Sequence, residues 1–217
     1  MSRPIPGLAP HRLNNIFCIG LNYRLHAKEM NSAIPREPMV FLKPNSAVIF
    51  EGEPVLLPSR SSDVHHEIEM VIAVGGHGKN VTDDEVAPLI AGVAVGIDFT
   101  ARDLQQKAKS QGTPWSLAKG FDTFAPVSRF IRLEDAGDLQ NLQLTLNVNG
   151  EIRQQESTSD MIFTVREVIR YLSEVFTLQP GDLIYTGTPS GVGPVQSGDS
   201  LTATLGEELI TLHVDVA

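Results

Sequence analysis

The chain reads as an α+β protein dominated by mixed or antiparallel sheet, and three observations predict this. Short runs of apolar and β-branched residues recur along its whole length. One segment, 142–148, alternates apolar and polar residues and then meets Asn149-Gly150, the dipeptide suited to a type I′ hairpin turn. Only one stretch, 164–176, carries a full helical stripe, through Val165, Val168, Ile169, Leu172, Val175 and Phe176.

The elements follow in order. Residues 1–14, with Pro4, Pro6 and Pro10, form an irregular arm ahead of a single domain over 15–217. Residues 16–20 make a short strand, and 23–30 has helical character that ends before Pro35 and Pro38. Residues 39–43, 47–50 and 55–57 are short strands, and 66–74 is a long buried one. Thr82 caps a helix to residue 90, with Asp83, Asp84 and Glu85 in its first turn. Residues 91–98 form a buried strand. The next helix, 100–110, has Thr100 placed to cap it and Lys107 and Lys109 near its end. Strands are expected at 124–127, at 151–155 returning from the hairpin, and at 182–186, 200–205 and 208–214.

Composition narrows the partners. The 217 residues carry 17 basic and 26 acidic side chains, a net charge of −9, which argues against nucleic acid but not against small anions in a local positive field. The single cysteine, Cys18, allows neither an internal disulfide nor a thiolate metal cage, and its apolar surroundings suit an inert core thiol. No window approaches membrane-spanning length and the N-terminus lacks a signal-type apolar stretch, so the expectation is a soluble, cytoplasmic chain with no membrane partner.

Glu67 and Glu69 begin the apolar run Ile68-Glu69-Met70-Val71-Ile72-Ala73-Val74. On a strand, side chains two apart leave the same face. Two carboxylates side by side at a buried position are costly unless protons or a cation neutralise them. A hard divalent ion, Mg²⁺ or Mn²⁺, does this and keeps positions open for a ligand. Glu51 and Glu53 have the same spacing, but beside Gly52 and Pro54 they read as a solvated turn. Asp98, ending the apolar run from Ala91, either caps the next helix or supplies a third carboxylate. His26 and Glu29, three apart on a helix, are either a surface pair or an imidazole oriented as a general base. Lys119 either snorkels or presents its charge to an oxyanion. Arg102 and Gln105 share a helix face, and the Gly-rich turn at 186–193 is able to offer backbone N–H groups to a carboxylate.

Together these segments resemble the fumarylacetoacetate hydrolase family, in its small single-domain branch. The likeness runs through Gly20-Leu21-Asn22-Tyr23, His26 to Met30, Phe41-Leu42-Lys43-Pro44, His65 to Glu69, Asp98 to Asp103 and Pro114 to Lys119. It continues through Val148 to Glu151, Met161-Ile162 and Thr186 to Gly193, covering about residues 15–215. The resemblance implies a mixed β-roll with a few peripheral helices, a homodimer and one Mg²⁺ or Mn²⁺ ion. It implies Glu67, Glu69 and Asp98 as metal ligands and His26 with Glu29 as a catalytic dyad in a lid. Lys119 falls on the oxyanion side, and Arg102, Gln105 and Thr188 line the substrate pocket. The added N-terminal domain and extra upstream acidic ligand of the larger members are not found here, which favours a smaller keto acid than fumarylacetoacetate. The leading expectation is a hydrolase of acylpyruvates such as fumarylpyruvate or acetylpyruvate, with His26 activating water. Oxaloacetate decarboxylation, isomerisation or tautomerisation of related 2-oxo acids, and non-catalytic keto-acid binding are the alternatives.

Overall fold

A seven-stranded mixed sheet organises the chain in the computed structural model, which describes residues 3–217. Its strands run across the sheet as Met39–Lys43, Ile16–Gly20, Leu183–Tyr185, Ile68–Val74, Ile90–Ile97, Ala125–Val127 and Val48–Phe50. Ile16–Gly20 pairs parallel with Leu183–Tyr185, and Val48–Phe50 parallel with Ala125–Val127; the other pairings are antiparallel. A four-stranded antiparallel sheet holds the hairpin Gln143–Val148 and Glu151–Ser157 together with Ser200–Leu205 and Ile210–Asp215. A small third sheet joins Gly193–Pro194, Val64–His66 and Thr100–Ala101.

The central sheet is covered on both faces, which is why its strands read as nearly unbroken apolar runs. One face carries Ile68, Met70, Ile72, Val93, Val95 and Ile97 into a core closed by the four-stranded sheet and by the helix Val165–Val175. The other face carries Val71, Ala73, Ala94, Cys18, Leu183 and Tyr185, and is covered by Ile5, Leu8 and Leu13 of the N-terminal segment and by Phe130. The helix Val165–Val175 opens with a capping box, Thr164 accepting from Glu167 N–H and Glu167 accepting from Thr164 N–H. The hairpin turn has positive φ at both Asn149 (53°) and Gly150 (83°), as a type I′ turn requires.

Several expected elements shift. The long strand splits at Glu67 into Val64–His66 and Ile68–Val74, so the first carboxylate sits at the junction of two sheets. Residues 55–57 form no strand; Val55 makes an isolated bridge to Val216. The helix expected from Thr100 begins at Arg102 with Ala101 at its cap, and Thr100 instead joins a short strand and donates its hydroxyl to the Asp98 carbonyl. Glu53 is not simply solvated, since it accepts from Phe50 N–H and pairs with Arg3.

Candidate active site

The backbone ladder assembles the three carboxylates. Ile68 opposes Ile97 and Glu69 opposes Gly96, while Asp98 N–H donates to the Glu67 carbonyl at 2.8 Å. Glu67, Glu69 and Asp98 are buried, and one oxygen from each lies within 4.8 Å of the others. The approach is possible because residue 96 is glycine: a Cβ there would come within 2.8 Å of both the Tyr185 ring and Val71. The expectation that Asp98 caps a helix gives way to the other alternative, because its oxygens face lysines rather than the Arg102–Gln111 helix.

Three cations surround this cluster. Lys119 Nζ sits 2.5 Å from Asp98 Oδ2 and 2.8 Å from Glu67 Oε2, and Arg102 reaches Glu67 Oε1 at 2.5 Å. Gln105 Oε1 accepts from Arg102 at 2.7 Å and fixes the guanidinium. Lys43 lies behind Asp98, at 2.6 Å from Oδ1, and also donates to the carbonyls of Lys119, Phe124 and Phe99. Burial pushes the Glu67 carboxyl up, but Lys119 and Arg102 outweigh it and hold it well below the usual carboxylate range. Burial likewise pulls Lys119 down, and Asp98 with Glu67 overrides this and holds it above the ordinary lysine range, so it stays an ammonium.

Glu69 is different. Its Oε2 accepts from Gly187 N–H at 2.7 Å, and no ammonium or guanidinium pairs with it among the described residues. Burial and the neighbouring Asp98 and Glu67 charges push its carboxyl well above the usual range. A buried carboxylate with like charges beside it and no cation of its own is the environment a hard divalent ion relieves. The all-oxygen donor set suits Mg²⁺ or Mn²⁺ rather than a thiolate- or imidazole-seeking metal. Gly187 meets its role at φ 101°, where a Cβ would approach the Asn22 Cβ to 2.6 Å.

Across the cavity, the short helix Arg24–Glu29 brings His26 and Glu29 together, Nδ1 to Oε2 at 3.0 Å. The carboxylate accepts the Nδ1 proton, which leaves Nε2 as the ring nitrogen not engaged by Glu29. Glu29 also accepts from Gly191 N–H at 3.0 Å, tying the helix to the 186–193 turn. Burial raises the Glu29 carboxyl, but the His26 and Gly191 hydrogen bonds prevail and lower it. The space left beneath is about 20 Å³, room for one water.

Thr188 lines the same cavity, and its hydroxyl is oriented by Gln154, a residue on which sequence reasoning was silent. Gln154 Oε1 accepts from Ile68 N–H at 3.0 Å, which settles which end of the amide is oxygen. Its Nε2 then donates to the Pro189 carbonyl and to Thr188 Oγ1, both at 2.9 Å. With that oxygen accepting from Gln154, the Thr188 proton is available to the cavity. The same Oε1 lies 3.0 Å from His66 Nδ1, which therefore carries the proton. Burial lowers the pKa of His66 and keeps it neutral.

All nine residues singled out from sequence thus converge on one cavity or its walls: Glu67, Glu69, Asp98, His26, Glu29, Lys119, Arg102, Gln105 and Thr188. Lys43 was missed, although a lysine ending an apolar strand before Pro44 was a signal that it folds inward. Gln154 offered no signal, because it lies in a return strand that is otherwise exposed or half-buried. Cys18 is buried and is not among the cavity-lining residues; burial raises its thiol well above the usual range, as expected of an inert core cysteine.

Comparison with known proteins agrees with this geometry. The chain is 45% identical over 208 residues, 95% of each chain, to the oxaloacetate tautomerase YcgM of Escherichia coli K12. It is 47% identical to the mitochondrial oxaloacetate tautomerase FAHD1 of Bos taurus, over 87% of this chain and 86% of that one. Among solved structures, fumarylpyruvate hydrolase from Pseudomonas aeruginosa in complex with Mn²⁺ and pyruvate superposes with a TM-score of 0.92 at 36% identity. That match covers all of this chain and 95% of the other. The sequence pattern of the fumarylacetoacetate (FAA) hydrolase C-terminal family matches residues 15–217, and the chain belongs to that family.

Proposed function

We propose that this protein is a divalent-metal-dependent enzyme of small 2-oxo acids, and that its reaction is the keto–enol tautomerisation of oxaloacetate. The observation that carries the first part is the buried Glu67, Glu69 and Asp98 cluster, with one member, Glu69, lacking a cation. Those three residues would hold Mg²⁺ or Mn²⁺. A bound ion would supply Lewis acidity to the carboxylate and C2 carbonyl of a chelating 2-oxo acid.

The chain's own residues supply proton transfer. His26, with Nδ1 held by Glu29, presents Nε2 to take a proton from C3 as the electron pair moves onto the C2 oxygen. The imidazolium so formed returns that proton to the oxygen to give the enol, and enol decay runs the same transfers in reverse. Lys119, held as an ammonium, faces the charge that develops on oxygen. Arg102, Gln105 and the Thr188 hydroxyl orient the substrate carboxylate. The lowered helix excludes water from the basic enolate.

Charge balance favours a dianionic substrate. The three carboxylates are matched by Lys43, Arg102 and Lys119, so a divalent ion adds two positive charges that a dicarboxylate restores to neutrality. The identities to oxaloacetate tautomerases favour tautomerisation over acylpyruvate hydrolysis, reversing the order reached from sequence. Hydrolysis remains the second reading, favoured by the 36% identity to fumarylpyruvate hydrolase and by a His26 equally able to activate water against a C4 carbonyl. A single catalytic domain over residues 15–217, a homodimer and a cytoplasmic setting complete the proposal.

The test follows enol-oxaloacetate decay, CO₂ release and cleavage of acetylpyruvate and fumarylpyruvate in parallel with Mg²⁺ or Mn²⁺. Acceleration of enol decay that outpaces both other reactions, lost on chelation, is expected. His26→Ala should slow it by about 10²–10⁴. Efficient cleavage of either acylpyruvate without effect on enol decay would put hydrolysis first.

A further inference from the structure

The cavity is lined by three cations, and two of them are engaged. Arg102 is paired with Glu67 and Gln105, and Lys119 bridges Glu67 and Asp98. The third is Lys109, and no carboxylate pairs with it among the described residues. Lys109 belongs to the helix Arg102–Gln111, seven residues beyond Arg102. At 3.6 residues per turn it lies on nearly the same face as Arg102, about 10 Å further along the axis. Arg102 is buried whereas Lys109 is exposed, so this helix face runs from the interior of the cavity toward solvent.

Its position there is built. The ammonium lies 5.2 Å from the centre of the Trp115 ring, and Trp115 packs in turn against Phe41, with ring centres 5.8 Å apart. Both aromatics line the cavity, so this cation–π contact holds Lys109 against the cavity wall. A helix C-terminus suits a lysine on electrostatic grounds alone. That does not explain the fold of this side chain onto the cavity wall, where Lys107, in the same last turns, is not found. Burial lowers the Lys109 pKa first, followed by the nearby Arg102 and Lys119 charges, while Glu67 acts in the opposite sense. Each of those neighbours is a floor residue, which places Lys109 within reach of the same field.

We infer that Lys109 is the specificity residue for the distal carboxylate of a four-carbon 2-oxo dicarboxylate, receiving the C4 carboxylate while the C1 carboxylate and C2 carbonyl are held at the floor. This deepens the functional reading above and rests on it. It divides the labour between a chelating end, common to all 2-oxo acids, and a mouth that selects those with a second acid. An acylpyruvate with an apolar tail gains nothing from this ammonium.

The experiment compares wild type, Lys109→Met and Lys109→Arg with Mn²⁺ present. It measures kcat and KM for oxaloacetate, and calorimetric affinities for oxaloacetate and for pyruvate, which lacks the distal acid. In Lys109→Met the KM for oxaloacetate should rise about tenfold with kcat within about threefold, and Lys109→Arg should recover most of the loss. Pyruvate affinity should stay within about twofold in both variants. An unchanged oxaloacetate KM, or pyruvate affinity falling in step with it, would overturn the assignment. A wild type that binds both acids but turns over neither removes the functional reading, and the contrast in affinities still decides on Lys109. A wild type that binds neither acid overturns both.

Discussion

Lys43→Met isolates the least expected part of the site. Methionine keeps most of the lysine's volume and removes its charge. Three carbonyls lose a donor, Lys119 at 2.6 Å, Phe124 at 2.9 Å and Phe99 at 3.0 Å, and Asp98 Oδ1 loses the ammonium paired with it at 2.6 Å. The Phe124 carbonyl retains the Phe99 N–H, but Asp98 Oδ1 has no hydrogen-bond donor and is balanced by charge alone. The side chains of Lys43 and Asp98 are both 0% exposed, so no solvent replaces the lost partner. Breaking one side of a buried ion pair costs about 3–5 kcal/mol, and a stranded carbonyl about 1 kcal/mol more. A loss near 5 kcal/mol is a large share of the ~5–15 kcal/mol that stabilises a domain. At about 2–4 °C per kcal/mol for a chain of this length, the melting temperature should fall by roughly 10–20 °C. Calorimetry and urea denaturation of the metal-free protein measure this. Adding Asp98→Asn removes the stranded charge, so the double variant should be more stable than the summed single losses imply, by about 2 kcal/mol. A Lys43→Met variant within about 1 kcal/mol of wild type, or strictly additive losses, would refute the reasoning.

Four further outcomes follow from the same geometry. Glu69→Gln should weaken Mn²⁺ binding, read by the paramagnetic resonance of the free ion, by more than the ~10–100-fold that outer partners cost, whereas Glu51→Gln should leave it unchanged. Lys119→Met removes a cation 2.5–2.8 Å from two of the carboxylates, so Mn²⁺ should bind more tightly while turnover falls. Gln154→Leu strands Ile68 N–H, the Pro189 carbonyl and His66, and should cost about 2–4 kcal/mol in denaturant titrations while raising KM. Glu29 has a depressed pKa in the folded state, so its docking contribution is complete above the ordinary glutamate pKa and is lost as pH falls through the lower folded value. Hydrogen exchange in residues 24–31, corrected for intrinsic rates, should therefore quicken on acidification below that range, and in Glu29→Gln at neutral pH.

Much of this site was legible because its logic is local. Two glutamates leading an apolar run, and an aspartate ending another, signal buried charge before any fold is known, and the ladder places them side by side. The strand Ile16–Gly20 and the helix Val165–Val175 follow their apolar patterns to within a residue. The break at Glu67 was not legible, because it arises from competition between two sheets for one segment. Thr100 was misread as a cap because its hydroxyl finds the Asp98 carbonyl instead. Gln154 was invisible for a different reason. A register shift between Ile152 and Gln154 turns one residue of an outer strand inward, and irregular pairing leaves no periodic trace.

The carboxylate triad also has a meaning for how the chain reaches its native state. Because Glu67, Glu69 and Asp98 meet only when Ile68 faces Ile97 and Glu69 faces Gly96, a slip of one residue between these strands turns Glu69 away from Asp98. The alignment that brings the three carboxylates together would therefore also create the proposed ion site. If the proposed site takes manganese, the ion added during renaturation should favour the aligned pairing, and the yield of ion-binding molecules would report on that alignment.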